Sequence, residues 1–482
     1  MTPITRRRFF EDTLVAAAFG ATASQFVPEV LAQEPAKAAA EKVTVAIIGC
    51  GIRGKQHVAE LTKFADCDIA YFCDPDRDRA AELVKIVTDK NRPAPKAVPD
   101  MRTVFDDKSV DAVFVATCNH WHSLAAIWAM QAGKDAYVEK PVSHNVSEGR
   151  RMVQVARKLG RICQGGTQYR SSGVNAAAVE YMRQGKLGDV KLARSIVYGG
   201  RGSIGGPGTF EVPANVDYNL WAGPAPTSPL IRPKLQYDWH WNWETGNGEL
   251  GNNNVHSIDL CRWGLGVTGL GRSVVSFGGR FGYSDAGQTP NTQVCVYDFG
   301  DKAIIAETRG LKTAPFRADL KGVGIIFEGT KGIIAGGTLF DPDGKQVSTF
   351  EGKSENHFAN FLAAVRSRKR EELKAEILEG HQSSALCHIG NISWRLGRTV
   401  ATADARTELA KSPFANKTLD AFDRLVQHLG ENKVDLDQTR LTLGPHLALD
   451  SQREAFIANP NADALLTREY RRPFVVPAEN EI

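Results

Sequence analysis

The stretch VAIIGCGIRGKQHV, residues 45–58, runs an apolar segment directly into glycines at 49, 51 and 54 and then into a helix-compatible run. Those glycines fit G-x-G-x-x-G, a weak pattern alone because glycine is common, but stronger between an apolar run and a helix start. In that setting the backbone N–H groups at the helix start are placed to cradle a pyrophosphate, so Gly49, Gly51, Ile52, Arg53 and Gly54 are read as cofactor-binding. The segment IAYFCDPDRDRA (69–80) sets Asp74 at the end of a second apolar run. It lies about 20 residues past the last glycine, where a carboxylate accepts hydrogen bonds from adenosine ribose hydroxyls. A carboxylate there repels a 2′-phosphate and favours NAD, while Arg53, Arg77 and Arg79 leave NADP open.

Outward from this nucleus, apolar runs and helical periodicities alternate: DAVFVAT (111–117), HSLAAIWAMQAG (122–133), DAYVEKP (135–141), VSEGRRMVQVARKLG (146–160) and RICQGGTQ (161–168). The alternation predicts an α/β Rossmann domain, a doubly wound parallel sheet, over 43–166. From residue 167 the pattern changes to longer β-rich segments such as VKLARSIVYGG (190–200) and TQVCVYDFGDKAIIAETRG (292–310). These predict a C-terminal α/β domain over 167–400, built on a large, mostly antiparallel sheet with one face covered and one open. Residues 401–482 read as a turn-rich arm packed on the body.

At 482 residues the chain is too long for one core. Its 42% hydrophobic and 24% charged residues are those of a soluble globular protein, and a net charge of +4 exerts no strong pull toward nucleic acid. The N-terminus has another logic. Arg6, Arg7 and Arg8, a weakly hydrophobic Ala-rich run and small residues near Ala32 form the layout of an export signal over 1–32, followed by a linker over 33–42. TRRRFF (5–10) resembles the twin-arginine type, which predicts a periplasmic protein exported already folded, a route suited to a chain that carries its cofactor with it. The apolar part is too short to span a bilayer and no other segment approaches a span. Eight cysteines, scattered singly in apolar contexts, read as small buried hydrophobes.

Three stretches, VAIIGCGIRG, ATCNHWHSLAAIWAMQAGKDAYVEKPVS (116–143) and GNGELGNNNVHSIDLCRWGLG (246–266), together resemble the glucose-fructose oxidoreductase / inositol dehydrogenase / MocA family of NAD(P)-dependent oxidoreductases. Glu139-Lys140-Pro141 is the most specific element, and the resemblance covers about residues 43–400. It implies a site between the two domains, with hydride moving to or from a secondary hydroxyl carbon of a sugar or cyclitol derivative. It also implies a homo-oligomer, dimer or tetramer, built on the open sheet face, and a cis peptide before Pro141. Lys140 becomes the lysine that bonds the substrate hydroxyl beside the nicotinamide, and a partly desolvated lysine has a lowered pKa suited to relaying a proton.

In GNNNVHSIDLCRW (251–263), Asn252 and His256 are four apart and share one face if the segment is helical. The family has an Asp and a His at these places, acting with the lysine. An amide orients a hydroxyl but accepts no proton, so His256 or Lys140 must serve as base. In CNHWHSLA (118–125), the resemblance places Asn119 and His122, with Thr117 and Glu139, on the nicotinamide side. His120, Trp121, Asn253 and Trp241 are substrate-side candidates. Two histidines two apart also suggest a metal, but no matching Cys, Asp or Glu pattern supports one. YDWHWNWETG (237–246) alternates Trp239, Trp241 and Trp243 against His240 and Asn242 if extended, a face suited to a sugar ring or equally to an aromatic core.

Two rivals stand beside the oxidoreductase. One is a redox-neutral glycosidase or lyase that oxidises its sugar only transiently; the other is a non-catalytic sugar-binding protein that kept the fold.

Overall fold

The computed structural model describes residues 42–316 and 323–482, so the leader and most of the linker lie outside the described residues. Six parallel strands open the chain: β1 (Val43–Ile48), β2 (Cys67–Cys73), β3 (Lys96–Val98), β4 (Ala112–Val115), β5 (Asp135–Val138) and β6 (Cys163–Gly165), in the order β3-β2-β1-β4-β5-β6. β1 and β4 are neighbours although β2 and β3 follow β1 in sequence, so the order reverses between them and opens a crevice beyond their carboxyl ends. Strands here are buried on both faces, which explains their unbroken apolar runs. Helices α1 (Ile52–Leu61) and α2 (Arg77–Thr88) follow β1 and β2, while α3 (Asn119–Gln131) and α4 (Val146–Lys158) follow β4 and β5.

The second domain carries a mostly antiparallel sheet of 12 strands, whose centre pairs Val190–Tyr198 in parallel with Ala303–Arg309 and antiparallel with Val323–Gly329. Alternate residues feed two separate cores. Val274, Cys295, Tyr297 and Ile304 face helix Val255–Leu265 and helix Ile377–Arg395. Val275, Phe277, Val294, Val296 and Ile305 face the other way, against Phe422, Leu425 and Leu429 of helix Ala415–Glu431.

This packing corrects three expectations. The second sheet face is not open along these strands, because their outward residues are apolar and the amphipathic helix 415–431 covers them. The segment after 400 is likewise no simple arm: strand Leu441–Leu443 joins the sheet between Ser273–Gly279 and Arg398–Val400. Helix His357–Ser367, read from the sequence as part of the second domain, packs Phe358, Phe361 and Val365 on the Rossmann strands instead. All eight cysteines are free thiols, and seven are buried. No helix among the described residues is long and apolar enough to cross a membrane.

Candidate functional site

A cleft opens where the strand order reverses and extends to the second domain. Its floor follows from the glycines. Gly49 has φ +95°, and a Cβ there would lie 2.5 Å from the Ala116 carbonyl carbon and oxygen and 2.6 Å from Thr117 N, so only glycine lets the β1 turn pass the end of β4. A Cβ on Gly54 would meet the Gly49 carbonyl oxygen at 2.2 Å, so Gly54 seats α1 against the turn and does not line the cleft. α1 begins at Ile52 with Gly51 as its N-cap, no side-chain cap and no acidic residue in the first turn. Its first N–H groups, and the positive end of its dipole, are thereby left for an anion. Ile52 is 64% exposed at this rim, an unusual place for an isoleucine in an empty surface and a suitable one beneath a ligand.

Asp74 emerges from β2 nine-tenths buried, accepting hydrogen bonds from Cys50 N (2.7 Å) and Asp76 N (2.9 Å). Burial pushes its carboxyl up to about 6 against those two donors. Arg79 reaches the same end of the cleft and pairs with Asp76 at 3.2 Å. The second domain closes over this end: Asp217 N donates to Pro75 O (3.0 Å), Arg77 N donates to Asn215 O (3.2 Å), and Asp76 bridges to Val216. The uncapped helix start, the Cβ-free turn and the acceptor beyond β2 fit a dinucleotide, with Gly49, Gly51, Ile52, Arg53, Asp74, Thr117 and Asn119 along its wall.

At the other end, β5 delivers Glu139 and Lys140. Glu139 is a structural hub: it accepts from Arg53 Nε (2.6 Å), Gln168 Nε2 (3.1 Å) and Lys140 N (3.3 Å), and lies 3.0 Å from His57 Nε2. Burial alone would raise its carboxyl, but the His57 hydrogen bond and the Arg53 charge outweigh it and hold Glu139 below the usual carboxylate range. Lys140 precedes a cis peptide to Pro141 and donates from Nζ to Asn252 O (2.7 Å) and Asn252 Oδ1 (3.3 Å). Burial lowers its pKa, with Glu139 opposing. Asn252 sits in a single π-turn, 250–254, ahead of helix 255–265, the kind of irregular helix that recurs at functional sites.

The structure thus brings Lys140, Asn252, His122, Trp121 and Glu139 to one cleft, but not every candidate. His256 does not line the cleft although it is near enough to feel the Lys140 charge: its ring lies 5.0 Å from that of Tyr169, its Nδ1 is buried without a partner, and burial together with that charge drives its pKa down to about 3. His120 is structural, its ring nitrogens 3.0 Å from Trp221 O and 3.3 Å from Thr245 O. His122 lies between Pro141 O (2.6 Å) and Thr117 O (3.0 Å), so neither histidine offers a free nitrogen pair for a metal. Asn253 turns to Glu249. Trp241 is buried outside the cleft beneath Arg201, because 238–241 is a 3-10 turn and the alternation of an extended strand does not apply. That turn presents Trp239 and His240 to the cleft, with Tyr237 before them at φ +69° and 42% exposed. Sequence reasoning had named Trp239 and His240 without assigning them. It missed Tyr237, and also Trp221 and Phe474, for which no local signal exists.

Residues 43–167 match the family model of oxidoreductases with an NAD-binding Rossmann fold, and residues 207–429 match the model of that family's C-terminal α/β domain. The chain belongs to the Gfo/Idh/MocA oxidoreductase family. Its first domain is therefore the family's NAD-binding domain. Among curated relatives, a glycosyl hydrolase family 109 protein of Shewanella pealeana is 27% identical over 38% of this chain and 44% of its own length. The levoglucosan dehydrogenase of Pseudarthrobacter phenanthrenivorans is 24% identical over 49% of this chain and 54% of its own. The aligned stretches thus span about half the length of these curated relatives. Among solved structures, the WlbA dehydrogenase of Bordetella pertussis, in complex with NADH and UDP-GlcNAcA, superposes with a TM-score of 0.53 at 17% identity, over 73% of this chain and 95% of that one. A levoglucosan dehydrogenase in complex with NADH superposes with a TM-score of 0.54 at 18% identity, over 73% and 97%. At such identities these structures establish the shared fold of the family.

Proposed function

We propose that this member of the family is an NAD-dependent oxidoreductase acting at a secondary hydroxyl carbon of a sugar or cyclitol derivative, with its cofactor held tightly in the cleft. One observation carries the reading: Lys140 Nζ is fixed by two oxygens of Asn252 at the inner end of a cleft otherwise shaped for a dinucleotide. Bound NAD supplies the hydride acceptor or donor. The protein's part is orientation and proton handling. Lys140, its pKa lowered by burial, meets the substrate hydroxyl as a neutral amine that accepts its proton during oxidation, and as an ammonium that returns a proton to the forming hydroxyl during reduction. Asn252 accepts no proton and serves to orient; of the two candidate bases, Lys140 and His256, the reading takes Lys140, which lines the cleft. Trp239, His240 and Tyr237 offer aromatic and polar surface of the sort that holds a sugar ring.

The test is to denature the purified protein and record the mass and absorbance of the released small molecule, then to titrate sugars against the absorbance of the bound cofactor. Release of NAD(H) and sugar-dependent change of that absorbance support the reading. No released nucleotide and no uptake of added NAD or NADP refute it.

The likeness to glycosyl hydrolase family 109 proteins favours one second reading, a redox-neutral cleavage of a glycosidic bond. Its signature is nitrophenol release from a panel of nitrophenyl glycosides with no net NADH. For the leader we propose twin-arginine export to the periplasm; replacing Arg7 and Arg8 by lysine should leave the protein in the cytoplasmic fraction.

A further inference from the structure

One turn before Asn252, Glu249 is buried behind the cleft lining, and nothing in the proposed chemistry uses it. Arg201 grips its carboxylate from Nη2 (3.0 Å) and Nε (3.3 Å), and Asn253 Nδ2 donates to it as well. Asn252 Nδ2 lies 3.4 Å from Glu249 Oε2, while Asn252 Oδ1 lies 3.3 Å from Lys140 Nζ. An ammonium only donates and a carboxylate only accepts, so an amide between them has one favourable orientation. Turned over, its NH2 would face the ammonium and its oxygen the carboxylate.

We propose that Glu249 is the positioning residue of the Lys140 site: its carboxylate fixes the Asn252 amide with Oδ1 toward Lys140 and places a negative charge beside the lysine. The role rests on the reading of Lys140 as the proton-handling group. Glu249 does not touch substrate; it acts through Asn252 and through its charge. Lys140 is faced by groups from several elements: the anions Glu139 and Glu249, the cations Arg53 and Arg201, and the neutral rings of His122, His240 and His256. Glu139 and Glu249 stabilise the ammonium, Arg53 and Arg201 oppose it, and burial opposes it more strongly than any of them. Arg201 also donates to the Tyr237 hydroxyl (3.0 Å), so the carboxylate is anchored to the rim of the cleft.

The test needs no substrate, so it stands or falls apart from the sugar chemistry. Competitive labelling of the NAD-loaded full chain with light and heavy acetic anhydride, read by mass spectrometry on the Lys140 peptide, gives the pH midpoint of Lys140 acylation. Glu249→Gln removes the charge at nearly constant volume. The midpoint should move to lower pH and labelling at pH 7 should quicken, by roughly threefold for each half-unit moved. Adding Asn252→Asp to Glu249→Gln returns a carboxylate one turn away and should move the midpoint back. A Glu249→Gln protein with wild-type melting temperature and an unmoved midpoint overturns the proposal. Should Glu249→Gln fail to fold, Arg201→Met serves: it unmasks the carboxylate and should raise the midpoint, and a fall or no change overturns the proposal. A moved midpoint in a protein that oxidises no sugar would refute the proposed reaction while leaving Glu249 its role.

Discussion

Replacing Gly49 by alanine tests the cofactor reading at its narrowest point. The residue sits at φ +95°, and its Cβ would overlap the Ala116 carbonyl at 2.5 Å and Thr117 N at 2.6 Å. Real contacts of that kind do not occur, and both neighbours are backbone, so no side chain can swing away. The left-handed conformation costs a non-glycine residue about 1–2 kcal/mol. Forcing a methyl into packed backbone costs about 1–3 kcal/mol more. Together these amount to about 2–5 kcal/mol, set against a net stability of about 5–15 kcal/mol for a folded domain. If the chain relieves the overlap by parting the ends of β1 and β4, the cost falls on the cleft between them. NAD affinity then drops by between roughly thirtyfold and a few thousandfold, at about 1.4 kcal/mol per decade. Calorimetric titration of NAD and a thermal melt, run on Gly49→Ala beside Gly200→Ala, separate the cases, since a Cβ on Gly200 meets nothing within 4 Å. Wild-type affinity together with a wild-type melt in Gly49→Ala would refute the reasoning.

Because burial holds the Asp74 carboxyl near 6, its proton returns as pH falls through that value and one acceptor for the ribose hydroxyls is lost; NAD dissociation constants should rise below about pH 6, and Asp74→Asn should bind weakly with no such pH dependence. Lys140→Met should keep NAD binding while kcat on an active sugar falls by about 10²- to 10⁴-fold, the usual share of a proton-transferring group; a tenfold loss or less would remove Lys140 from that role. Phe474→Ala should cost about 3–5 kcal/mol in a urea titration, because this buried ring packs on Trp121 (5.4 Å) and Trp128 (6.2 Å), and should weaken NAD binding because it also lines the cleft.

The Rossmann half was legible because its signals are local. A period change, a glycine triplet and a carboxylate at fixed spacing each occupy one short segment, and the cleft forms where those segments end. The second half failed where local reading was pushed past what it holds. SVVSFGG and TQVCVYD are apolar at successive positions, which in a sheet means cover on both faces; reading the sheet as one-sided, with 401–482 as a turn-rich arm, overlooked helix 415–431 as that cover. The tryptophans at 239, 241 and 243 have a period of two, but period alone does not make a strand, and the 3-10 turn at 238–241 carries Trp241 away from the cleft. Helix 357–367 has an apolar stripe that fits either sheet, and only the tertiary structure assigns it to the Rossmann layer. Phe474 reaches the cleft from the far end of the chain, a placement no window of sequence encodes.

The asparagine at 252 is the residue at which family expectation and this chain part, and the geometry accounts for it. An aspartate there would stand about as far from Glu249 Oε2 as the present amide nitrogen does, 3.4 Å. Two carboxylates at that separation do not both ionise readily, and Arg201 already has two of its nitrogens on Glu249. Beside Glu139 on the other side of Lys140, Glu249 provides the negative charge on the Asn252 side, from a buried position with a cation behind it. The amide then does what an acid could not: it accepts from the lysine on one side and donates to the carboxylate on the other. Loss of the acid at 252 is therefore compatible with a working lysine, because the charge has a second source one helical turn away.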